Sequence, residues 1–277
     1  MIQYESPLAI KIRKQIVQAL NDFQMLSHGD KIMVCVSGGK DSSVLLALLT
    51  EIQRRSEREF ELEAVILDQK QPGFDSTAFE TWVRDEVGVP LTVLERDTYS
   101  VVKEKVPEGN TYCSLCSRFR RAILYDHAFE RGFHKMALGH HRDDVATTFL
   151  LNTFYVGTLA SMPPKLLSDD GRNLIIRPLY YVDERDIAAL AEEWQIPIIP
   201  CNLCGSQDGL KRARMKKLLR DLEQEIPQIV TSLQTAMKRV QPSHLADQHL
   251  YNFHSLEEKR QPRIVTVHHE SERVLRD

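Results

Sequence analysis

Ser37-Gly38-Gly39-Lys40-Asp41-Ser42 is the stretch of this sequence best suited to chemistry. Two glycines let a backbone fold tightly around an anion. An apolar run, Lys31–Val36, precedes the stretch and a helical pattern, Asp41–Arg54, follows it. A loop in that position points the amides of a helix N-terminus at phosphate oxygens. Lys40 adds positive charge, and the Ser37 and Ser42 hydroxyls can donate hydrogen bonds. Asp41 would repel a phosphate unless a Mg²⁺ ion stood between them, which suggests a metal-bridged pyrophosphate. A Walker A loop would need glycine at Val34 and Ser or Thr at Asp41, so an ordinary γ-phosphate-cleaving NTPase is disfavoured.

A second constellation is Gly139-His140-His141-Arg142-Asp143-Asp144, after the apolar run Lys135–Leu138. Gly139 permits close approach of backbone to a nucleotide. His140 and His141 could bond phosphates or move protons. Asp143 and Asp144 open a predicted helix; one can cap it, and the other can bind Mg²⁺ or orient a base. Asp68, at the end of Leu62–Leu67, is a weaker candidate, because a solvated loop aspartate is the common case.

Five cysteines are present. Cys35 lies within an apolar run and reads as a buried strand residue. The others form two CxxC pairs, Cys113/Cys116 and Cys201/Cys204. Four thiolates can bind zinc tetrahedrally or hold an iron–sulfur cluster, and spacing alone slightly favours structural zinc. Basic residues follow each pair: Arg118, Arg120 and Arg121 after the first, and Lys211, Arg212, Arg214, Lys216, Lys217 and Arg220 after the second. They read either as solvated helix faces or as phosphate contacts for a nucleic acid. Phe119 and Tyr125 read as core residues, with base stacking as the alternative.

The elements that must position these groups alternate. Predicted strands are Lys31–Val36, Leu62–Leu67, Leu91–Glu95, Lys135–Leu138 and Asn173–Arg177. Predicted helices are Pro7–Leu26, Asp41–Arg54, Thr77–Glu86, Ser117–Arg131, Val145–Tyr155, Glu184–Trp194, Leu210–Glu225 and Ile229–Val240, and Gly157–Asp170 reads as a loop. This alternation implies an α/β fold, a parallel sheet with helices on both faces and a small helical C-terminal region. Ligands bind at the carboxyl ends of such strands, here Ser37, Asp68 and Gly139. The expected divisions are an N-terminal helix (1–28), a nucleotide domain carrying the first CxxC (29–180), a helical region carrying the second (181–253) and a mobile tail (254–277).

The chain has 277 residues, 42% hydrophobic and 27% charged, with a formal net charge of −3. Nothing global announces a nucleic-acid binder, so a basic surface must be local. No apolar run reaches the ~18 residues that suggest a membrane span, and the N-terminus lacks the apolar core of a secretory signal. A cytoplasmic protein is expected.

Val36–Ser42 matches the SGGxDS signature, and the chain here resembles the N-type ATP pyrophosphatases (PP-loop, adenine nucleotide alpha hydrolase-like). The resemblance implies attack on the α-phosphate of ATP with release of pyrophosphate. It puts Ser37, Gly38, Gly39, Lys40, Asp41, Ser42, Asp68, Gly139 and His140 at ATP, with Lys40, Asp41, Asp143 and Asp144 in catalysis. The segments around CSLCSRFRRAILY, Leu138–Asp144, Met162–Lys165, IPCNLCGSQ and Pro242–Leu245 resemble the tRNA 2-thiocytidine synthetases, from about residue 7 to 253. That family implies a [4Fe–4S] cluster on three cysteines: Cys113, Cys116 and Cys204, with Cys201 the alternative third ligand. It implies thiolation at C2 of cytidine 32 through an adenylated base. It also implies tRNA gripped by Arg118, Arg120, Arg121, Lys211, Arg212 and Arg214, a sulfur-donating protein such as a cysteine desulfurase, and a homodimer. Two other classes remain: a PP-loop enzyme delivering nitrogen, which would not need the cysteine pairs, and a zinc-stabilised RNA-binding protein, which would not need the phosphate loop.

Overall fold

The computed structural model describes residues 2–105, 113–199 and 207–260; for 113–114 and 207–209 the backbone alone is described. The chain divides into two compact units, Met1–Gln234 and Thr235–Asp277.

The first unit is built on a six-stranded sheet of order β3-β2-β1-β4-β6-β5. Its strands are β1 (Asp30–Val36), β2 (Phe60–Asp68), β3 (Leu91–Glu95), β4 (Lys135–Leu138), β5 (Lys165–Leu167) and β6 (Leu174–Ile176). All pairs are parallel except β5 with β6. The central β1 is apolar and covered on both faces, which is why it reads as a continuous hydrophobic run. Its alternate residues Met33 and Cys35 join Val65, Leu67 and Met136 beneath Leu124 and Ala128. Leu124 and Ala128 belong to helix α5, Cys113–Glu130. Tyr125 packs partly buried against this cluster, while Phe119 is half-buried outside it.

Helix α1 (Pro7–Asp22) starts on Ser6, whose hydroxyl accepts from Ala9 N, with Pro7 pre-set for the first turn. Helix α2 (Lys40–Arg55) is buried from Ser42 to Ile52, packed among β1, β2, α1 and α7 (Glu184–Glu193). Strand order reverses between β1 and β4, the crevice where doubly wound sheets bind ligands. The remaining helices of this region are α3 (Thr77–Trp82), α4 (Tyr99–Lys105), α6 (Arg142–Leu151), α8 (Gln207–Glu225) and α9 (Ile229–Lys238). Ala146 and Leu150 of α6 pack on Met215 and Leu219 of α8 and on Val230. That contact lays one face of α8 against α6.

Several expectations are corrected. The sheet is mixed, because Lys165–Leu167, expected as loop, forms the antiparallel edge strand β5. Three residues between Pro164 and a polar turn are too short to show alternation. The helices expected over Thr77–Glu86 and Val145–Tyr155 each end in a π turn, Val83–Val87 and Asn152–Val156, closed by a left-handed glycine. Helix α5 begins at Cys113 rather than Ser117, so the first cysteine pair occupies its first turn. Among the described residues no helix is long and apolar enough to cross a membrane. In the second unit, short 3₁₀ turns occur at Pro242–His244 and Phe253–Ser255. Of the expected tail, residues 261–277 lie outside the described residues.

Candidate active site

The phosphate loop is held by its own hydroxyls. Ser37 N donates to Ser42 Oγ at 3.1 Å, and the Ser43 hydroxyl donates to Gly39 O at 2.9 Å. Gly39 occupies the N-cap of α2 and offers no capping side chain, which leaves the first-turn amides open toward the crevice. Gly38 has φ +74°, and a Cβ there would stand 2.6 Å from Ile199 Cδ1. Ile199 N donates to Gly38 O at 2.9 Å, so the chain leaving α7 is stitched onto the phosphate loop. Gly139 solves a different crowding problem from the one expected of it. Its missing Cβ would lie 2.9 Å from Ser42 N, so the glycine lets the end of β4 approach the first turn of α2.

The loop, the ends of β1, β2 and β4, and α5 enclose a cleft of about 300 Å³. Of the candidate residues, Ser37, Asp41, Ser42, Gly139, His140, Asp144 and Arg120 line it, together with Gln69 and Ile199; Gly38, Gly39, Lys40 and Asp143 do not. Asp68 does not line it. Its carboxylate accepts from Lys70 N at 2.7 Å and pairs with Lys70 Nζ at 2.9 Å. The neighbouring Gln69 faces the cleft instead, as strand alternation would allow.

Behind the loop lies a charged cluster drawn from four segments. His141 is 2% exposed, and its ring nitrogens stand 3.3 Å from Asp144, 3.6 Å from Asp143, 3.8 Å from Asp41 and 3.9 Å from Glu184. Burial opposes a charge on this ring, but the carboxylates outweigh it and hold its pKa above the usual value. The same pairing holds Asp143 and Asp144 below the usual carboxylate range despite burial. Lys40 Nζ bridges Asp41 at 3.0 Å and Glu184 at 3.3 Å. Glu184 also accepts from Lys216 at 2.8 Å. Arg212 donates to Asp144 at 3.2 Å. Arg212 was expected on the tRNA face, and the structure turns it inward, whereas Lys211 and Arg214 are exposed. Glu184 was not anticipated as a site residue, since no local pattern marks it, and Lys216 was anticipated only as one of the basic residues facing a nucleic acid.

The two aspartates divide their work. Asp143 Oδ2 accepts from Glu184 N at 2.9 Å and so ties α6 to the start of α7. Asp144 accepts from His141 N at 3.4 Å, a capping contact, and keeps a face on the cleft. His140 differs sharply from its neighbour. Burial, with Arg177 nearby, pushes its pKa down to about 4. Its Nδ1 is buried without a hydrogen-bond partner among the described residues. His140 is thus a neutral ring at pH 7, whereas the carboxylates around His141 favour its charged form. Proton NMR of ring-labelled protein is expected to show His140 titrating near pH 4 and His141 above the ordinary midpoint. An unfolded histidine takes up its proton near ~6.5. The depressed value at His140 therefore removes stability as pH falls from there through about 4. A His140 midpoint near 6.5 would refute this assignment.

Cys116 Sγ accepts from Gln69 Nε2 at 3.2 Å, and the same amide donates to Thr98 Oγ1 at 2.8 Å. Gln69 thereby links the cleft to the first turn of α5. The side chain of Cys113, and Cys201 and Cys204 entirely, lie outside the described residues. Among the described residues no group of three or more His, Cys, Asp or Glu side chains is arranged to hold a metal ion. Cys35 is the buried strand residue expected, its thiol pushed up to about 12 by burial. Arg118, Arg120 and Arg121 are exposed on α5, with Arg120 reaching the cleft.

Residues 8–202 match the PP-loop domain family. The chain is 69% identical over 255 residues to the tRNA-cytidine(32) 2-sulfurtransferase of Bdellovibrio bacteriovorus, covering 92% of this chain and 98% of the relative. The protein of the same name from Coxiella burnetii is 52% identical over 246 residues, covering 89% and 96%. Among solved structures, the U34-tRNA thiolase NcsA from Methanococcus maripaludis, seen with its [4Fe–4S] cluster, superposes with a TM-score of 0.64. It is 21% identical over 85% of this chain and 80% of its own, a likeness of fold. A PP-loop domain over most of its length and near-complete coverage by close relatives together mean that the chain belongs to the tRNA-cytidine(32) 2-sulfurtransferase family of PP-loop proteins.

Proposed function

We propose that the chain replaces the C2 oxygen of cytidine 32 in tRNA by sulfur, with ATP converted to AMP and pyrophosphate. One observation carries this reading: the open α2 N-terminus, His140, Asp144 and the Cys116-bearing helix all face one cleft at the strand-order reversal. Phosphate activation and a thiol-bearing site are thereby adjacent.

In this mechanism the α2 amides and the Ser37 and Ser42 hydroxyls receive the ATP phosphates. Lys40 exchanges Asp41 and Glu184 for phosphate oxygens. Arg120 offsets charge that builds on the α-phosphate as the cytidine O2 attacks it and pyrophosphate leaves. Asp41, next to the phosphates, is the residue suited to hold Mg²⁺. Neutral His140 offers a ring nitrogen to the adenylated base. A sulfur nucleophile at the sulfide level then adds to C2, and AMP departs with the original oxygen, so no oxidant or reductant is consumed.

Cys113, Cys116 and Cys204, with Cys201 as the alternative third ligand, would hold a [4Fe–4S] cluster. The residues present suit that group. Cys113 and Cys116 lie one turn apart at the start of α5. Ile199, bonded to Gly38, anchors at the cleft the chain that leads on to Cys201 and Cys204. When bound, the cluster supplies a coordination site that keeps sulfide deprotonated and presented. A cysteine desulfurase as sulfur source, a homodimer and a cytoplasmic location complete the proposal.

The test is anaerobic incubation of reconstituted protein with ATP, sulfide and a tRNA transcript, followed by mass spectrometry of nucleosides. 2-Thiocytidine, matched by equal AMP and absent when cytidine 32 is replaced by uridine, is expected. Adenylation without sulfur incorporation at any sulfide level would overturn the proposal.

A further inference from the structure

Past Leu151, α6 widens into the π turn Asn152–Val156, closed by Gly157 at φ +76°. The turn and the loop after it expose large apolar side chains: Phe154 (58%), Tyr155 (45%), Val156 (68%) and Leu159 (62%). The patch is tied down rather than loose. Asn152 Nδ2 donates to Ala160 O at 2.9 Å, Thr158 N to Asn152 O at 3.1 Å, and Ser161 Oγ to Val145 O at 2.6 Å. Large apolar side chains close in sequence and exposed on a pinned turn mark a candidate interaction surface, and π turns are frequent at functional sites.

The surrounding charge states what covers it. Lys211 Nζ sits 5.3 Å from the Tyr155 ring centroid. Lys211 and Arg214 are exposed, three residues apart on α8, and have no ion-pair partner among the described residues. A symmetric contact between two copies centred on this patch would bring the like charges of both copies together. Unpaired nucleotides match the surface instead: a base stacks on an aromatic face while its phosphate meets a cation. The site also lies on the helix whose first turn carries Asp144, about 15 Å farther along its axis.

We propose that Phe154 and Tyr155, flanked by Lys211 and Arg214, form a stacking platform for unpaired nucleotides of the anticodon loop beside the target base. This inference rests on the tRNA-thiolating function proposed above.

The experiment measures the affinity of the full chain for labelled substrate tRNA and for its isolated anticodon stem-loop. The variants are Phe154→Ala, Phe154→Leu, Tyr155→Ala and Tyr155→Phe. These side chains are exposed, so the fold is retained, and a melting curve with a separate ATP-binding titration confirms it. Phe154→Ala, Phe154→Leu and Tyr155→Ala are expected to raise Kd for both RNAs about tenfold. The leucine variant shows that the π face matters rather than apolar area, and Tyr155→Phe restores affinity. Unchanged RNA affinity in the three losing variants, with wild type still binding and thiolating tRNA, overturns this inference alone. So does a wild-type dimer that Phe154→Ala dissociates in sedimentation without any change in RNA affinity, which would give the patch to a second copy. A wild-type protein that neither binds nor thiolates tRNA overturns the proposed function and this inference together.

Discussion

Replacing Cys116 by alanine is expected to abolish thiolation and the iron–sulfur chromophore while ATP affinity is retained. The separation follows from the geometry. Apart from Arg120, the proposed ATP contacts come from α2 and the end of β4, whereas Cys116 stands on the first turn of α5 and reaches the cleft through Gln69. Loss of one of three ligands leaves the cluster without support, yet the phosphate loop keeps every hydrogen bond it makes to itself. Gln69→Leu probes the connection more finely. It keeps Cys116 but removes the 3.2 Å donation to its Sγ. Loss of such an outer hydrogen bond weakens metal retention or activity by ~10–100-fold. The measurements are visible absorption, iron and sulfide content of anaerobically purified protein, nucleoside mass spectrometry and an ATP titration. One zinc and no iron in the wild type, or full iron content in the Cys116 variant, would contradict the cysteine assignment.

Lys40→Ala is expected to lower turnover by ~10²–10³-fold, the range seen when one preorganised group that stabilises transition-state charge is removed. Its ammonium is paired with both Asp41 and Glu184. Burial alone would lower its pKa, but Asp41 and Glu184 outweigh burial and hold it above the usual value. Removal has two consequences: the phosphates lose a cation, and Asp41 and Glu184 lose their shared partner. Lys216 remains on Glu184 at 2.8 Å, so the carboxylate is not stranded and the fold persists. A Lys40→Ala/Glu184→Ala double variant separates the two consequences. Deleting the repelling carboxylate should recover part of the ATP affinity and none of the turnover. Pyrophosphate release and ATP binding measured side by side check this. Wild-type pyrophosphate release in Lys40→Ala would remove the lysine from the mechanism.

How far the sequence could be read depended on how local each feature was. The strands of the parallel core were legible to within two residues, because strands buried on both faces become unbroken apolar runs; β1 and β4 are the clearest cases. Helix α2 was legible because its start coincides with the glycine loop. Strand β5 was not, since its three residues are half-exposed or exposed and carry no alternating signal. The π turns were read as plain helix because one extra residue in a turn hardly disturbs apolar spacing. At the site, Asp68 looked eligible from its place at a strand end, yet Lys70 claims it and Gln69 takes the cleft position.

The sequence by itself determined the phosphate loop, its junction between strand and helix, the paired cysteines and the family to which they point. Those features are continuous in the chain, and their chemistry follows from residue types a few positions apart. Tertiary structure alone decided how the two histidines differ. His140 and His141 are adjacent and of one type, but burial pushes the pKa of the first down to about 4, while carboxylates of α2, α6 and α7 hold that of the second above the usual value. It also decided that Arg212 and Lys216 pair with Asp144 and Glu184 behind the phosphate loop, whereas Lys211 and Arg214 of the same helix face solvent. The reason is that an ion's partners are set by which helices pack together. Packing of α6 on α8 through Ala146, Leu150, Met215 and Leu219 fixes which face of α8 turns inward.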